Sequence, residues 1–296
     1  MRDKNNGLLK IVRKIKPLHI MAMRRQAAGE AGRAFDDVLN PPVLIYQMGT
    51  VGSGTVAHSL EAVGIDSAVF HVNILSEDLE YYGRAQRKAG LNPLPYHMYL
   101  SEAIRDRLHR HPDVPVRIIS LVRDPVAWAV SNVFQNPFFV PESVQAPNGM
   151  VDVQKAGNYL MRELENPENF DYVNQWFDRE LKTVFGIDVF AEPFPVHTGF
   201  AIYRQNRAEA LVIRMEDLPE KGPQAIAAFL GLVGRLEIRK ASVSEDSDTA
   251  DPYREVRDRV RLSRELCEQI YSGRLVQHFY SKELIESFTR RWTGEA

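Results

Sequence analysis

Four short apolar runs recur along the chain, each bounded by polar or turn-forming residues. They span residues 43–46, 67–72, 116–122 and 210–213. Short, largely apolar runs of this kind are typical of strands buried on both faces of a parallel sheet. Between them, residues 100–110 and 169–184 repeat apolar positions at helical spacing. The alternation predicts an α/β fold with a mainly parallel central sheet flanked by helices and joined by right-handed crossovers.

Two polar segments interrupt this pattern without dividing the chain into domains. Residues 137–150 contain three prolines, which predict a long loop, and residues 242–252 form an acidic, polar insertion. Strand signals resume after the first segment, and amphipathic helices follow the second. We therefore expect a single domain over residues 41–296, preceded by a basic arm or helix over residues 1–40.

The arm is basic although the whole chain carries a net charge of only −2. Residues 1–33 contain nine Lys or Arg residues against Asp3 and Glu30, with apolar residues interleaved. Such a segment suits either peripheral contact with an anionic membrane surface or a solvated helix docked on the domain. Pro17 in the middle of the arm favours the docked helix. The near-neutral total gives no global reason to expect a nucleic acid partner.

Cysteine content and hydropathy bear on the compartment. Cys267 is the only cysteine, which rules out an intrachain disulfide and fits a reducing environment. No run approaches the roughly 18 to 20 apolar residues that a membrane span requires, and the N-terminus lacks the apolar core of a secretory signal. We therefore expect a cytoplasmic protein, with membrane contact only through the arm.

A glycine-rich loop directly follows the first apolar run. Gly49, Gly52 and Gly54 alternate there with small residues. Beyond the loop, apolar residues recur at helical spacing up to Gly64, at positions 56, 60 and 63. The order is therefore strand, loop and helix. Loops of this type turn backbone N–H groups towards an anion at the positive end of a helix dipole. The arrangement predicts a phosphate or sulfate site in a P-loop-like three-layer fold.

The loop departs from the nucleoside triphosphate P-loop at two decisive positions. Gly49 and Gly54 have the required separation, but Thr55 stands where the phosphate-binding Lys belongs and Val56 where the Mg²⁺-binding hydroxyl belongs. A Mg²⁺-dependent kinase or nucleotide phosphatase therefore remains only an alternative. A protein that binds nucleotide with little or no turnover is a second one.

A second candidate anion site follows the third apolar run. Arg123 is expected at the carboxyl end of that strand, Pro125 suits the first turn of a helix, and Ser131 lies eight residues after Arg123, about two helical turns along. This spacing allows guanidinium and hydroxyl to hold one phosphate together. It is equally compatible with an ion-paired helix start made by Arg123, Asp124 and Pro125.

Taken together, these stretches resemble the sulfotransferases that use 3′-phosphoadenosine 5′-phosphosulfate (PAPS). In that family a loop ending in Ser-Gly-Thr holds the phosphosulfate, and an Arg with a Ser eight residues later holds the 3′-phosphate. A third stretch, residues 211–232, resembles a strand and helix of the same family. The resemblance implies donor contacts from these residues: Val51, Gly52, Ser53, Gly54, Thr55, Val56, Arg123 and Ser131.

The resemblance is closest to a bacterial family of capsular polysaccharide synthesis proteins. It rests on residues 46–56, 176–190 and 278–292, and it covers about residues 42–292. It implies transfer of a sulfuryl group from PAPS to a hydroxyl acceptor, a carbohydrate or polysaccharide, without a metal. The cofactor in this reading is the co-substrate PAPS alone.

One departure from the family pattern concerns the cation of the loop. Many sulfotransferases place Lys or Arg directly before the loop Ser, where this chain has Gly52, and capsular relatives often have Lys where it has Thr50. Arg84, Arg87 and Lys88 are candidate substitutes, although an exposed helix face explains them equally.

His71 is the candidate catalytic base. It is expected at the carboxyl end of the second strand, beside the first, where open α/β sheets bind ligands. An imidazole has a pKa suited to accepting the proton of a hydroxyl, and the stretch around His71 resembles the strand that carries the base in polysaccharide sulfotransferases. A histidine satisfied within the sheet is the alternative. The reserve candidates are His97, His58 and Glu77.

A possible acceptor surface lies in the stretch from Trp176 to Arg179. Aromatic faces stack on sugar rings, so Trp176 and Phe177, with Asp178 and Arg179, suit an acceptor wall. Core packing of an amphipathic helix explains the two aromatic residues equally well.

Overall fold

The computed structural model describes residues 2–88, 91, 93–135, 144, 152–233, 236–239 and 250–295. Five strands form one sheet: β1 (Val43–Tyr46), β2 (Val69–Val72), β3 (Val116–Val122), β4 (Phe200–Gln205) and β5 (Ala208–Arg214). Their order is β2-β1-β3-β5-β4, with β4 antiparallel to β5 and all other neighbours parallel. The α/β fold with a mainly parallel central sheet is thereby confirmed.

The helices cover both faces of this sheet. In chain order they are α1 (Arg2–Asp36), α2 (Ser53–Val63), α3 (Asp78–Lys88), α4 (Tyr96–Arg110), α5 (Pro125–Gln135), α6 (Val153–Glu165), α7 (Asp171–Phe177), α8 (Thr183–Phe185), α9 (Leu218–Leu230), α10 (Ala250–Arg259), α11 (Arg264–Tyr271), α12 (Arg274–Phe279) and α13 (Lys282–Thr293). A π-helical stretch, Asp178–Lys182, joins α7 to α8. Among the described helices, none is both long enough and apolar enough to cross a membrane.

The central strands are buried because they have protein on both faces. All four residues of β1 are fully buried, and β1 pairs in parallel with β2 on one side and β3 on the other. The chain leaves β1 towards β2 and then returns across β1 to β3. Such a reversal opens a crevice at the carboxyl ends of the strands, which is where α/β sheets bind ligands.

The edge strand β4 was not among the sequence predictions. It forms a hairpin with β5 through Asn206, whose φ of 50° is tolerated because asparagine adopts the left-handed region more readily than most residues. Unlike the central strands, β4 is only partly buried, so it lacks their apolar run.

The N-terminal arm forms one long helix that includes Pro17. Near its end, Ala27, Ala31, Ala34 and Phe35 are buried in the core, and the Arg107 guanidinium of α4 donates to Asp36 at 3.2 Å. This half of α1 is thus docked on the domain.

The two polar segments of the sequence fall largely outside the described residues. Of the predicted loop over residues 137–150, the structure describes only position 144. Of the predicted insertion over residues 242–252, it describes the last three positions, where α10 has already begun at Ala250.

Candidate active site

The glycine-rich loop between β1 and α2 has an unusual backbone. Gly49, Thr50 and Gly52 all adopt positive φ angles, of 82°, 53° and 85°. Glycine reaches this region without a steric penalty, whereas the β-branched Thr50 does so at a cost. Successive left-handed residues bend the chain so that amide groups face one side of the loop and carbonyl groups face the other.

Side chains from three other elements hold the loop carbonyls. The bonds are Tyr172 Oη to the carbonyl oxygen of Met48 (3.1 Å), Trp128 Nε1 to that of Gly49 (3.1 Å) and Arg123 Nη1 to that of Thr50 (2.8 Å). Three consecutive carbonyls are therefore paired with side chains from outside the loop. These donors fix the shape of the loop from behind.

The amide groups of the loop differ from its carbonyl groups. In the part of the chain that the structure describes, the N–H groups of residues 50–54 have no hydrogen-bond partner, and no side chain caps α2. Free N–H groups at a helix N-terminus attract an anion, because their partial positive charges add to the helix dipole. This backbone is compatible with an anion site, which stays a prediction.

The residues assigned to the loop contribute in different ways. Val51 and Val56 are fully buried, so their side chains belong to the core and only their backbone faces the site. Gly54 and Thr55 are half-buried, and Thr55 lines a cavity of about 950 Å³. The other wall of this cavity is mostly α9 and the segment after it, with Met215, Leu218, Ala227 and Ile238 among its residues.

Gly52 lies against Met215, which follows β5. A β-carbon on Gly52 would lie 2.4 Å from Sδ and 2.6 Å from Cε of Met215. A larger residue at this position would require the Met215 side chain to move and a strained backbone, because the φ angle of Gly52 is 85°. None of the proposed substitutes is seen to reach the loop within the described residues: Arg84 pairs with Glu80 on the exposed face of α3, and neither Arg87 nor Lys88 bonds to the loop.

Arg123 and Ser131 meet beside the loop as their spacing predicted. Arg123 Nη1 donates both to the Thr50 carbonyl and to Ser131 Oγ, each at 2.8 Å. Tyr253 of α10, which the sequence had not indicated, adds a third polar group, with its hydroxyl 3.3 Å from Ser131 Oγ. Burial alone would raise the pKa of Tyr253, but the Ser131 hydroxyl and the Arg123 guanidinium together lower it.

Asp124 does not make the ion-paired helix start that was the alternative reading. It is buried and accepts from the Val126 amide (2.9 Å), the Tyr271 hydroxyl (3.1 Å) and Trp292 Nε1 (2.8 Å). Burial raises its pKa, against the opposing effect of these hydrogen bonds. Asp124 thus ties the end of β3 to α11 and α13 and leaves Arg123 free to face the loop.

Glu216 lies beside Asp124. Its carboxylate accepts from the Asp124 amide (2.9 Å) and from the Tyr280 hydroxyl (3.1 Å). Glu216 is open to solvent on one side, yet desolvation by the surrounding protein raises its pKa to about 7. A carboxyl whose pKa is raised in this way is a candidate functional group.

His71 lies at the opposite end of the loop. Its Nε2 atom is 2.8 Å from Ser53 Oγ and 3.0 Å from Nε2 of Gln47. The ring is accessible to solvent, but desolvation within the recess lowers its pKa, and neighbouring His97 lowers it further. His71 is therefore neutral at neutral pH, as a base must be.

The reserve candidates are placed less favourably. His97 lies near His71 but forms none of the described bonds to the loop, and His58 is on the exposed face of α2. Glu77 lines a separate cavity with Arg105 and Arg179.

The structure favours core packing over an acceptor wall for the stretch that begins at Trp176. Trp176 and Phe177 are each 1% exposed, and Trp176 Nε1 donates to the Asn73 carbonyl at 3.1 Å. Buried rings cannot stack on a sugar. Asp178 and Arg179 are paired elsewhere, with Arg274 and Asp78.

Comparison with known proteins relates part of the chain to a family. Residues 149–281 match the family model described as "Putative capsular polysaccharide synthesis protein" (NKWYS). Neither the curated proteins nor the solved structures that were compared gave a match. The matched part contains β4, β5, Met215 and Tyr253, whereas the glycine-rich loop, His71 and Arg123 precede it. Over residues 149–281, then, the chain is similar to a family of capsular polysaccharide synthesis proteins.

Proposed function

We propose that this protein is a sulfotransferase that moves a sulfuryl group from PAPS to a hydroxyl group of a carbohydrate during polysaccharide synthesis. The observation that carries the proposal is the joining of two anion-binding elements through one hydrogen bond. The first element is the set of unpaired amides of residues 50–54, and the second is the Arg123–Ser131 pair. Arg123 joins the two, because it donates to the Thr50 carbonyl and to Ser131 Oγ, each at 2.8 Å. A ligand with two phosphate-like ends fits such a pair.

Each part of the site has a role in this reaction. The loop amides bind the phosphosulfate end, and Arg123 with Ser131 binds the 3′-phosphate. The cavity beside Thr55 has apolar walls from α9 that suit the flat adenine base. The loop amides also stabilise the bisphosphate as it departs, which partly replaces the cation that Gly52 lacks.

The transfer itself needs a base and an in-line hydroxyl. The acceptor oxygen forms a bond to sulfur while the bond from sulfur to the phosphate oxygen breaks, and the acceptor proton passes to Nε2 of His71. The electron pair of the broken bond remains on the departing phosphate. The position of His71 supports this role, because its Nε2 lies 2.8 Å from the Oγ atom of Ser53, the first residue of α2.

Calorimetry with adenosine 3′,5′-bisphosphate tests the binding half of the proposal. We expect micromolar binding by the intact protein and about a 10- to 100-fold loss in Arg123→Ala, as expected for a lost charged hydrogen bond. Arg204→Ala is the control, because Arg204 pairs with Glu209 on the exposed edge strand. Absence of binding by the intact protein would refute the proposal.

Transfer of radiolabelled sulfate from PAPS to a panel of hydroxylated glycans tests the chemical half. His71→Ala should retain nucleotide binding and lose turnover, whereas His58→Ala, altered on the exposed face of α2, should retain both. Because the pKa of His71 is lowered from 6.5, the rate should fall only at pH values below that figure. Turnover that survives in His71→Ala would remove His71 from the mechanism.

One observation favours a second candidate, a nucleotide-binding protein with little or no turnover. Position 52 is Gly and Met215 occupies the space beside it, so the loop has no cation at the position that assists departure in the family. Bisphosphate binding without transfer to any acceptor would support this candidate. A Mg²⁺-dependent kinase is less well supported, since Val56, at the position of the metal-binding hydroxyl, is apolar and fully buried; tight Mg²⁺-ATP binding in the same calorimeter would favour it.

A further inference from the structure

Gln47 connects the glycine-rich loop to His71. It directly follows β1 and is fully buried. Its Oε1 atom accepts from the Gly49 amide at 2.6 Å, and its Nε2 atom lies 3.0 Å from His71 Nε2 and 3.1 Å from Asn73 Oδ1. One side chain thus contacts both the loop and the proposed base.

The donors and acceptors around Gln47 allow only one arrangement. A backbone N–H can only donate, so the atom facing the Gly49 amide must be the carboxamide oxygen. The NH₂ group then faces His71, and because it too can only donate, His71 Nε2 must accept. A neutral imidazole that accepts at Nε2 carries its proton on Nδ1.

We propose that Gln47 is a positioning residue that fixes His71 in the neutral tautomer with its proton on Nδ1, so that Nε2 is the hydrogen-bond acceptor at the loop. The inference deepens the proposed function, because Nε2 is the atom that would take the acceptor proton. The Gln47 NH₂ group disfavours a proton on His71 Nε2 before the acceptor hydroxyl transfers one, since an N–H at Nε2 would face this NH₂ group. The Oγ atom of Ser53 also lies 2.8 Å from His71 Nε2, and this hydroxyl can turn towards an anion in the loop.

The surroundings of His71 leave Gln47 as the group that decides the tautomer. Ser53 can donate or accept, so its hydroxyl adapts to either tautomer. His97 of α4 is the titratable neighbour that acts on His71, and it disfavours the charged ring. Gln47 alone among these contacts presents a donor whose direction is fixed by a backbone amide.

Nuclear magnetic resonance of protein labelled with ¹⁵N-histidine tests the inference without requiring turnover. The chain has eight histidines, and the His71 signals are identified by their loss in His71→Gln. We expect His71 of the intact protein to be protonated at Nδ1 above its pKa. A proton on Nε2 would overturn the proposal.

Gln47→Glu is the informative variant. A carboxylate still accepts from the Gly49 amide but presents an acceptor to His71, so the tautomer should switch to Nε2–H and the pKa of His71 should rise by about 1 to 3. Gln26→Glu adds the same charge on the exposed part of α1, where Gln26 contacts Glu30, and should leave His71 unchanged. An unaltered His71 titration in folded Gln47→Glu would refute the positioning role.

A second variant guards against misfolding of Gln47→Glu. Gln47→Met keeps a similar volume without the donor, so both neutral tautomers of His71 should be populated. Persistence of Nδ1–H alone would overturn the proposal. In an active enzyme, the acidic limb of the rate profile should also move to higher pH in Gln47→Glu. Because the magnetic resonance result stands without turnover, failure of the proposed function is distinguishable from failure of this inference.

Discussion

The sulfur atom of Met215 fills the space beside the α-carbon of Gly52. A β-carbon at position 52 would approach it to 2.4 Å, and the φ angle of 85° is unfavourable for any other residue. We predict that Gly52→Ala displaces the loop, abolishes anion binding and lowers the free energy of unfolding by at least the 1–2 kcal/mol or so of left-handed strain. Urea denaturation and bisphosphate calorimetry measure the two effects.

Gly64→Ala is the matched control for this prediction. Gly64 ends α2 with a φ of 70°, but a β-carbon there meets nothing within 4 Å. It should lose stability through strain and keep full affinity for the bisphosphate. Adding Met215→Ala to Gly52→Ala should recover part of the lost stability, because it removes the collision. Normal binding by Gly52→Ala would contradict the prediction.

Replacement of Asp124 by asparagine, which has nearly the same shape, should lower the stability of the fold. Its two oxygens accept from Val126, Tyr271 and Trp292, so the NH₂ group of Asn would face a donor in either orientation. We predict that Asp124→Asn lowers the free energy of unfolding by about 1–3 kcal/mol, measured in urea. Asp106→Asn, in an exposed pair with Arg110, should change stability by less than about 1 kcal/mol. Equal effects in the two variants would show that the Asp124 contacts contribute little.

Glu216 should make part of the stability depend on pH. Its pKa is raised to about 7, from the usual 4.5, so the folded protein retains a proton that the unfolded chain releases. This contribution is fully present below about pH 4.5 and is lost as the pH rises to about 7. We predict that Glu216→Gln becomes more stable relative to the wild type as the pH is raised from 5 to 8. Urea midpoints at both pH values would measure the change, and a constant difference would contradict it.

Cys267 should report opening of α11. The thiol is fully buried, and burial raises its pKa to about 11, so little of the reactive thiolate is present. We predict no alkylation by iodoacetamide at pH 8 in the native protein and complete reaction in denaturing urea, followed by mass spectrometry. Asp124→Asn should react faster, because it loses a contact to Tyr271 of the same helix. Rapid labelling of the native protein would show that α11 opens readily.

Local signals explain which parts of the fold could be predicted. Gly64 ends α2, whose apolar positions recur at helical spacing, and Pro125 begins α5. Both helices were expected from these residues. Strand β4 was not predicted, because this edge strand lies partly in solvent and has no continuous apolar run. Asn206 at the hairpin turn was the available signal.

The same distinction applies to the site. Arg123 and Ser131 lie within one strand-to-helix unit, so their spacing of eight residues allowed their contact, and the structure decides between it and an ion-paired helix start. Gln47 meets His71 across 24 residues, Glu216 meets Asp124 across 92, and Tyr253 meets Ser131 across 122. Those contacts depend on how the strands are ordered and how α10 returns to the sheet, which no local pattern encodes.

The bond from Trp292 to Asp124 ties α13 to the carboxyl end of β3, beside Arg123. A protease that trimmed α13 would leave a buried carboxylate without its indole donor, immediately beside Arg123. Occupancy of the proposed site should consequently protect α13 from digestion, although none of the described hydrogen bonds joins α13 to the loop.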